Sequence, residues 1–338
     1  MNEDHNASTT SQGGWRVWFR AESVLLLLLV LEIGVFSKTG TNFWTRENFF
    51  EVLRLSVEMG LLAVAMTPVI LTGGIDLSVG SLLGLCAICF GKLWRDAGLS
   101  PFAAAFATIG LGLMAGALNG ALVTRLRLPP LIVTLGSFSL FRGFAEAITK
   151  GVDNFTNFPP SFLFLGQGYI FGVIPAQLPC FVAVAVSFWV LVHRTVIGRE
   201  LRVLGTSPEG AVYAGLPASS RIQLVYVLSG GVAALSALVY VAHLGQAKAD
   251  AGTGYELLAI TAVVLGGTSI CGGKGSVHGT LLGLAVLAVM KNGLTLSDLP
   301  GELGGILTGV LLLTVLSGEL FMRFLSRRIR LRNRARLA

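Results

Sequence analysis

Between two apolar runs the chain reads Leu71-Thr72-Gly73-Gly74-Ile75-Asp76-Leu77-Ser78-Val79-Gly80-Ser81, which puts a carboxylate and hydroxyl side chains where the flanking sequence reads as membrane. Paired glycines remove side-chain packing and permit backbone angles that other residues avoid, so a helix arriving through Leu61 to Leu71 is expected to break or end there. Asp76 or Ser78 is then placed to cap a new helix beginning near Val79. In hydrocarbon, unpaired backbone groups survive only when buried in protein or facing a water-filled cavity, so such a break belongs inside a helical bundle. The chemistry on offer is hydrogen bonding to a polar solute or, through Asp76, the holding of a coupling ion. An ordinary cytoplasmic loop with Asp76 as a cap accounts for the same residues, and spacing alone does not choose.

A second stretch has the same make-up. Leu265-Gly266-Gly267-Thr268-Ser269-Ile270-Cys271-Gly272-Gly273-Lys274-Gly275-Ser276 again joins paired glycines to hydroxyls between apolar runs, and Gly80-Ser81-Leu82-Leu83-Gly84-Leu85 is echoed by Gly279-Thr280-Leu281-Leu282-Gly283-Leu284. The echo suits a duplication, although the gap lengths differ. Elsewhere the residues exclude more than they offer. Gly273-Lys274 is followed by Gly275 where a phosphate loop needs Ser or Thr, and the glycine expected five residues earlier is Thr268, so the chain is not expected to hydrolyse ATP. His5, His193, His243 and His278 are scattered, Cys86 and Cys89 stand as a lone CxxC, and no GxSxG nucleophile motif occurs. No catalytic residue, metal site or cofactor is therefore expected in this chain. Of the charges inside apolar blocks, Glu58 and Arg142 are the deeper candidates for pathway or packing roles, and Asp76 is the obvious candidate for a coupling ion.

The elements that must position these groups follow from composition. With 338 residues, 53% of them hydrophobic and 13% charged, the chain is too apolar for a soluble domain, and its continuous runs argue against a transmembrane β-barrel. The expectation is an all-α polytopic membrane protein of about ten transmembrane helices, from blocks near 17–36, 56–73, 78–94, 101–123, 130–149, 172–192, 222–245, 255–271, 277–296 and 302–322, with broken or re-entrant segments near 73–81 and 266–276. Alternating the blocks collects Arg16, Arg20, Arg125, Arg127, Arg194, Arg199, Arg202, Arg221, Lys274 and the terminal arginines on one side, which makes that side cytoplasmic and puts both termini there. Residues 1–14 read as a disordered tail, 15–325 as one transmembrane domain, and 326–338 as a basic cytoplasmic tail. The net charge of +7 sits largely in that last stretch, an inside-facing anchor with no aromatic-interleaved face for nucleic acid.

Three local features add detail. Phe43 to Phe50 mixes aromatics with charges and suits an interfacial segment. Gly112, Gly116 and Gly120 line one helical face for close packing. The 194–221 loop contains Ser207, which can cap, Pro208, which suits a first turn, and Gly215, which ends the run, so a short helix is expected outside the bilayer.

Together these stretches resemble a known family. Gly73-Gly74-Ile75-Asp76-Leu77-Ser78-Val79-Gly80-Ser81 is similar to a signature of permease subunits in bacterial ABC importers for ribose, related monosaccharides and autoinducer-2. Pro129-Pro130-Leu131-Ile132-Val133-Thr134-Leu135-Gly136, Pro208-Glu209-Gly210-Ala211 with Gly215, Gly252-Thr253-Gly254-Tyr255-Glu256-Leu257 and Ala262-Val263-Val264-Leu265-Gly266-Gly267-Thr268-Ser269 carry the resemblance from about Phe43 to Leu296. The resemblance implies a multi-pass permease of the bacterial inner membrane that passes a monosaccharide or sugar-like solute into the cytoplasm. It implies a second permease subunit, two cytoplasmic ABC ATPases that carry ATP and Mg, and an outer solute-binding protein. Ser207, Pro208, Glu209, Gly210, Ala211 and Gly215 would couple to the ATPase, with Gly210 where the family loop commonly has alanine. Thr72, Gly73, Gly74, Asp76, Ser78, Gly266, Gly267, Thr268 and Ser269 would be pathway candidates. The alternative expectation is an ion-coupled secondary sugar transporter using Asp76.

Overall fold

The computed structural model describes residues 12–315, 317 and 318, so the expected basic tail at 326–338 and most of the expected tail at 1–14 lie outside the described residues. Each apolar block contains a helix. In chain order these are α1 (Gln12–Thr39), α2 (Arg46–Leu71), α3 (Val79–Arg95), α4 (Pro101–Thr124), α5 (Pro130–Thr149), α6 (Pro160–Gln167), α7 (Leu178–Arg194), α8 (Val196–Thr206), α9 (Pro208–Tyr213), α10 (Ala218–Leu244), α11 (Tyr255–Leu265), α12 (Val277–Leu296) and α13 (Glu302–Val315). Among the described residues, α2, α4, α5, α10 and α12 are long and apolar enough to cross a bilayer, and α7 with α8 makes a sixth if that pair, bent by 69°, is one span.

The bundle is built around α2 and α10. Every residue of α2 from Ser56 to Leu71 is buried except Met59, so this helix is apolar all round because protein surrounds it. In α4 and α5 only 28% of the apolar window is buried, against 78% in α2, which puts those two at the rim with apolar side chains facing outward. The glycine stripe of α4 does what its spacing predicts. A Cβ at Gly112 would lie 2.4 Å from Gly230 O, and one at Gly116 would lie 2.2 Å from Tyr226 O, so α4 and α10 cross backbone to backbone.

Three features differ from expectation. The 43–50 stretch runs into the second helix without a break, because Thr45 accepts a hydrogen bond from Asn48 N and starts α2 at Arg46. The connection after α5 holds α6 and a two-stranded antiparallel hairpin, β1 (Tyr169–Ile170) with β2 (Ile174–Pro175), both too short for periodicity to reveal. Val196–Thr206 forms its own helix, α8, capped by Thr195, whose hydroxyl accepts from Gly198 N.

The two glycine pairs end their helices by the same geometry. Gly73 (φ +82°) donates to Ile70 O and Gly74 to Val69 O, while Gly267 (φ +84°) donates to Val264 O and Thr268 to Val263 O. Both are Schellman closures, in which a left-handed residue turns the chain off the helix and satisfies its last carbonyls. After each break a new helix starts, α3 at Val79 and α12 at Val277, so the sequence echo corresponds to a structural one. Thr67 of α2 and Thr280 of α12 join the halves with a buried 2.8 Å hydroxyl contact.

Candidate translocation and coupling sites

Asp76 hangs from the 72–78 break into the protein interior and is 3% exposed. Its Oδ1 accepts from Ser78 N at 3.0 Å and from Ser78 Oγ at 2.6 Å, and its Oδ2 accepts from Ser229 Oγ of α10 at 3.2 Å. Ser78 Oγ in turn accepts from Asn119 Nδ2 of α4 at 2.9 Å, and Asn119 Oδ1 accepts from Ser137 Oγ of α5 at 2.5 Å. Thr134 Oγ1 adds a bond to Ile75 O at 3.0 Å. The chain of bonds ties one non-helical turn to three helices, which is how irregular backbone is tolerated at membrane depth. Ser78 does stand at the N-cap position of α3, but its side chain makes no cap bond because its hydroxyl is committed to Asp76 and Asn119. Tyr226 OH lies unpartnered in the same cluster, and Gly74 leaves it room, since a Cβ there would be 2.9 Å away.

The sequence points to Asp76 and Ser78 but not to Asn119, Ser137 or Ser229. Their signal is a lone polar residue in an apolar helix, which becomes informative only when the helices are brought together.

The remaining pathway candidates are placed less uniformly. Gly74, Gly266, Thr268 and Ser269 are buried, Thr72 is half-buried, and Gly73 and Gly267 are exposed. Thr72 Oγ1 donates back to Val69 O, while Thr268 Oγ1 is buried without a partner. The two breaks touch each other. Gly273 N donates to Leu71 O at 2.9 Å, and a Cβ on Gly272 would lie 2.7 Å from Gly73 N.

The break junction also touches the last turn of α8. A Cβ on Gly205 would lie 2.0 Å from Leu71 O and 2.3 Å from Gly273 N, so the end of α8 rests on both breaks with no side chain between. Two residues later α9 begins. Ser207 Oγ accepts from Gly210 N, Pro208 occupies the first turn, and Gly215 (φ +76°) closes the helix with Leu216 N donating to Ala211 O. Ala211 is buried, whereas Glu209 and Gly210 are exposed and Val212 and Tyr213 are 60% and 91% exposed. A buried alanine under a tip of exposed apolar side chains is a shape that docks into a partner's groove. Tyr213 has no local signal in the sequence, where the capping residues mark the helix but not the direction it faces.

Residues 48–316 match the family described as branched-chain amino acid transport system / permease component. The autoinducer 2 import system permease protein LsrD of Photorhabdus temperata is 35% identical over 268 residues, covering 78% of this chain and 80% of that one. The LsrD of Enterobacter sp. (strain 638) is 36% identical over 266 residues, covering 77% and 81%. A solved ABC transporter, described as of metal-chelate type and inward-facing, aligns with a TM-score of 0.49 at 18% identity over 89% of this chain and 99% of its own.

Proposed function

The chain belongs to the family of transport-system permease components matched over residues 48–316, and from that premise we propose that it is the membrane subunit of an ATP-binding cassette importer for a sugar-like solute. It passes the solute inward and is driven by ATPases that it does not itself contain. The observation that carries this reading is α9, a capped helix with Val212 and Tyr213 bare at its tip, joined through the last turn of α8 to the junction of two broken helices. The solute class follows from the autoinducer 2 permeases at 35–36% identity and from a break lined by hydroxyls.

In this proposal the ten apolar blocks all cross or enter the inner membrane of a bacterium, with both termini cytoplasmic and residues 15–325 acting as one domain. Ser207, Pro208, Glu209, Gly210, Ala211 and Gly215 form the element that docks into an ABC ATPase. ATP binding draws two ATPases together, α9 and α8 move as a lever, and the paired breaks at Thr72 to Ser78 and Gly266 to Ser269 repack to open one end of the pathway. A second permease subunit and an outer solute-binding protein complete the assembly. The ion-coupled alternative is not favoured, because both oxygens of Asp76 are engaged by Ser78 and Ser229.

The test is to co-purify the chain with its neighbouring gene products, reconstitute the complex with its binding protein, and measure ATP hydrolysis against a panel of monosaccharides that includes D-ribose and L-rhamnose. The expected result is stimulation by one or a few sugars, with uptake dependent on ATP. Uptake by the chain alone, driven by an ion gradient, would overturn the proposal.

A further inference from the structure

The connection between α10 and α11 does not stay at the end of the bundle. Gly252 packs on Gly80 and Leu83 in the first turns of α3, a helix that starts beside the 72–78 break, so this irregular segment reaches well into the protein. Its carbonyls need donors there, and Arg142 of α5 supplies them. Arg142 Nη1 donates to Ala249 O and, at 3.1 Å, to Ala251 O. Gly84 makes room for this clasp, since a Cβ would lie 2.7 Å from Arg142 Nη1. One turn earlier on α3, Gly80 makes room for Glu256, whose Oε2 would be 2.0 Å from a Cβ at that position.

Arg142 and Glu256 are thus anchored in the same way. Each commits one polar atom to the segment, Arg142 Nη1 to its carbonyls and Glu256 Oε1 to Gly254 N at 3.2 Å. Each keeps another buried and unpartnered, Nη2 and Oε2, and Glu256 as a whole is 7% exposed. Among the described residues no ion pair joins the two. Arg142 as a whole is half-buried and its charge attracts that of Glu256, yet the buried Nη2 and Oε2 atoms each lack a hydrogen-bond partner, which is costly. Tyr255, next to Glu256, meets Tyr240 edge-on with ring centroids 6.2 Å apart, which adds apolar ring surface beside the pair.

We propose that Arg142 Nη2 and Glu256 Oε2 contact the solute, as donor and acceptor to the hydroxyls of a neutral polyol. The proposal rests on the sugar-import reading above. A hydroxyl donates and accepts at once, so one hydroxyl or a vicinal pair satisfies both atoms without adding charge. An anion would meet Glu256, a cation would meet Arg142, and a solute lacking the hydroxyl would leave both unpaired, which is the arrangement that discriminates most sharply. In the conformation described here the Nη2 and Oε2 atoms are enclosed. The solute reaches it when the segment lifts, and Gly245, Gly252 and Gly254, at φ +67°, +71° and +82°, bracket that segment.

The test uses the complete transporter with its ATPases and binding protein in vesicles. Uptake of D-ribose, or of whichever sugar the panel selects, is compared with uptake of its single-deoxy analogues in wild type, Glu256→Gln and Arg142→Lys, with basal ATP hydrolysis as the check on assembly. One analogue should lose about 10-fold in wild type, the factor one charged hydrogen bond carries. Glu256→Gln should lose a similar factor on the parent sugar and nothing further on that analogue, because selection by the binding protein cancels in such a cycle. If every analogue loses the same factor in both variants as in wild type, the pair only holds the segment and the proposal fails. If Glu256→Gln does not assemble, the cycle with Arg142→Lys decides alone. A wild type that imports no sugar with ATP sinks the sugar reading, and this proposal with it.

Discussion

At the scale of single residues, Asp76 separates two accounts of this chain. A carboxylate in an apolar stretch invites an ion-binding role, yet its two oxygens accept from Ser78 N, Ser78 Oγ and Ser229 Oγ, which makes it the fixing point of a helix break. Asp76→Asn puts a donor where one of those oxygens was, so one buried donor is left facing another. The loss expected is about 1–3 kcal/mol, seen as a lower unfolding temperature of the purified protein. Asn119→Ala should behave alike, since it strips Ser78 and Ser137 of their shared partner. A variant at Asp76 that unfolds like wild type but imports nothing would favour ion coupling instead. Asp76 and Ser78 are legible in the sequence because their neighbours are glycines and apolar residues. Nothing local marks Asn119, Ser137 and Ser229, which lie 41, 59 and 151 positions from Ser78 and join its network only through packing.

At the scale of elements, local signals worked wherever the chain has to stop. Gly73, Gly267 and Gly215 each take a left-handed conformation at a helix end, and each lies in a stretch whose glycines and hydroxyls already mark a helix boundary in the sequence. What failed was the short and the bent. α6 and the β1–β2 hairpin are too brief to show a period, and α8, beyond the turn at Thr195, lies in a stretch that reads as a loop with one short helix. The consequential element is α8, because its last turn joins α9 to both breaks. A methyl group at Gly205 would overlap backbone atoms of Leu71 and Gly273, and neither can yield as a side chain would. Gly205→Ala should therefore leave the complex assembled and hydrolysing ATP while uptake falls about 10-fold or more, a coupling loss of at least ~1.4 kcal/mol. Hydrolysis and uptake lost in proportion would mean that Gly205 serves only folding.

At the scale of the whole molecule, the helical blocks, the helix breaks and the short helix α9 were legible in the sequence, because hydrophobic length and glycine placement are written locally. Burial was not. That α2 lies wholly inside while α4 and α5 face outward depends on which helix packs on which, and all three are apolar. The central claim also belongs to this scale: the chain holds the pathway, and its motion comes from an ATPase engaged through α9. The most direct measurement is crosslinking from Tyr213→Cys, at the bare tip of α9, in cells that import the solute. The account predicts a covalent adduct with a cytoplasmic nucleotide-hydrolysing subunit, and a yield that changes when ATP is trapped on the complex. Import at the normal rate with no such adduct from any position on α9 would contradict it.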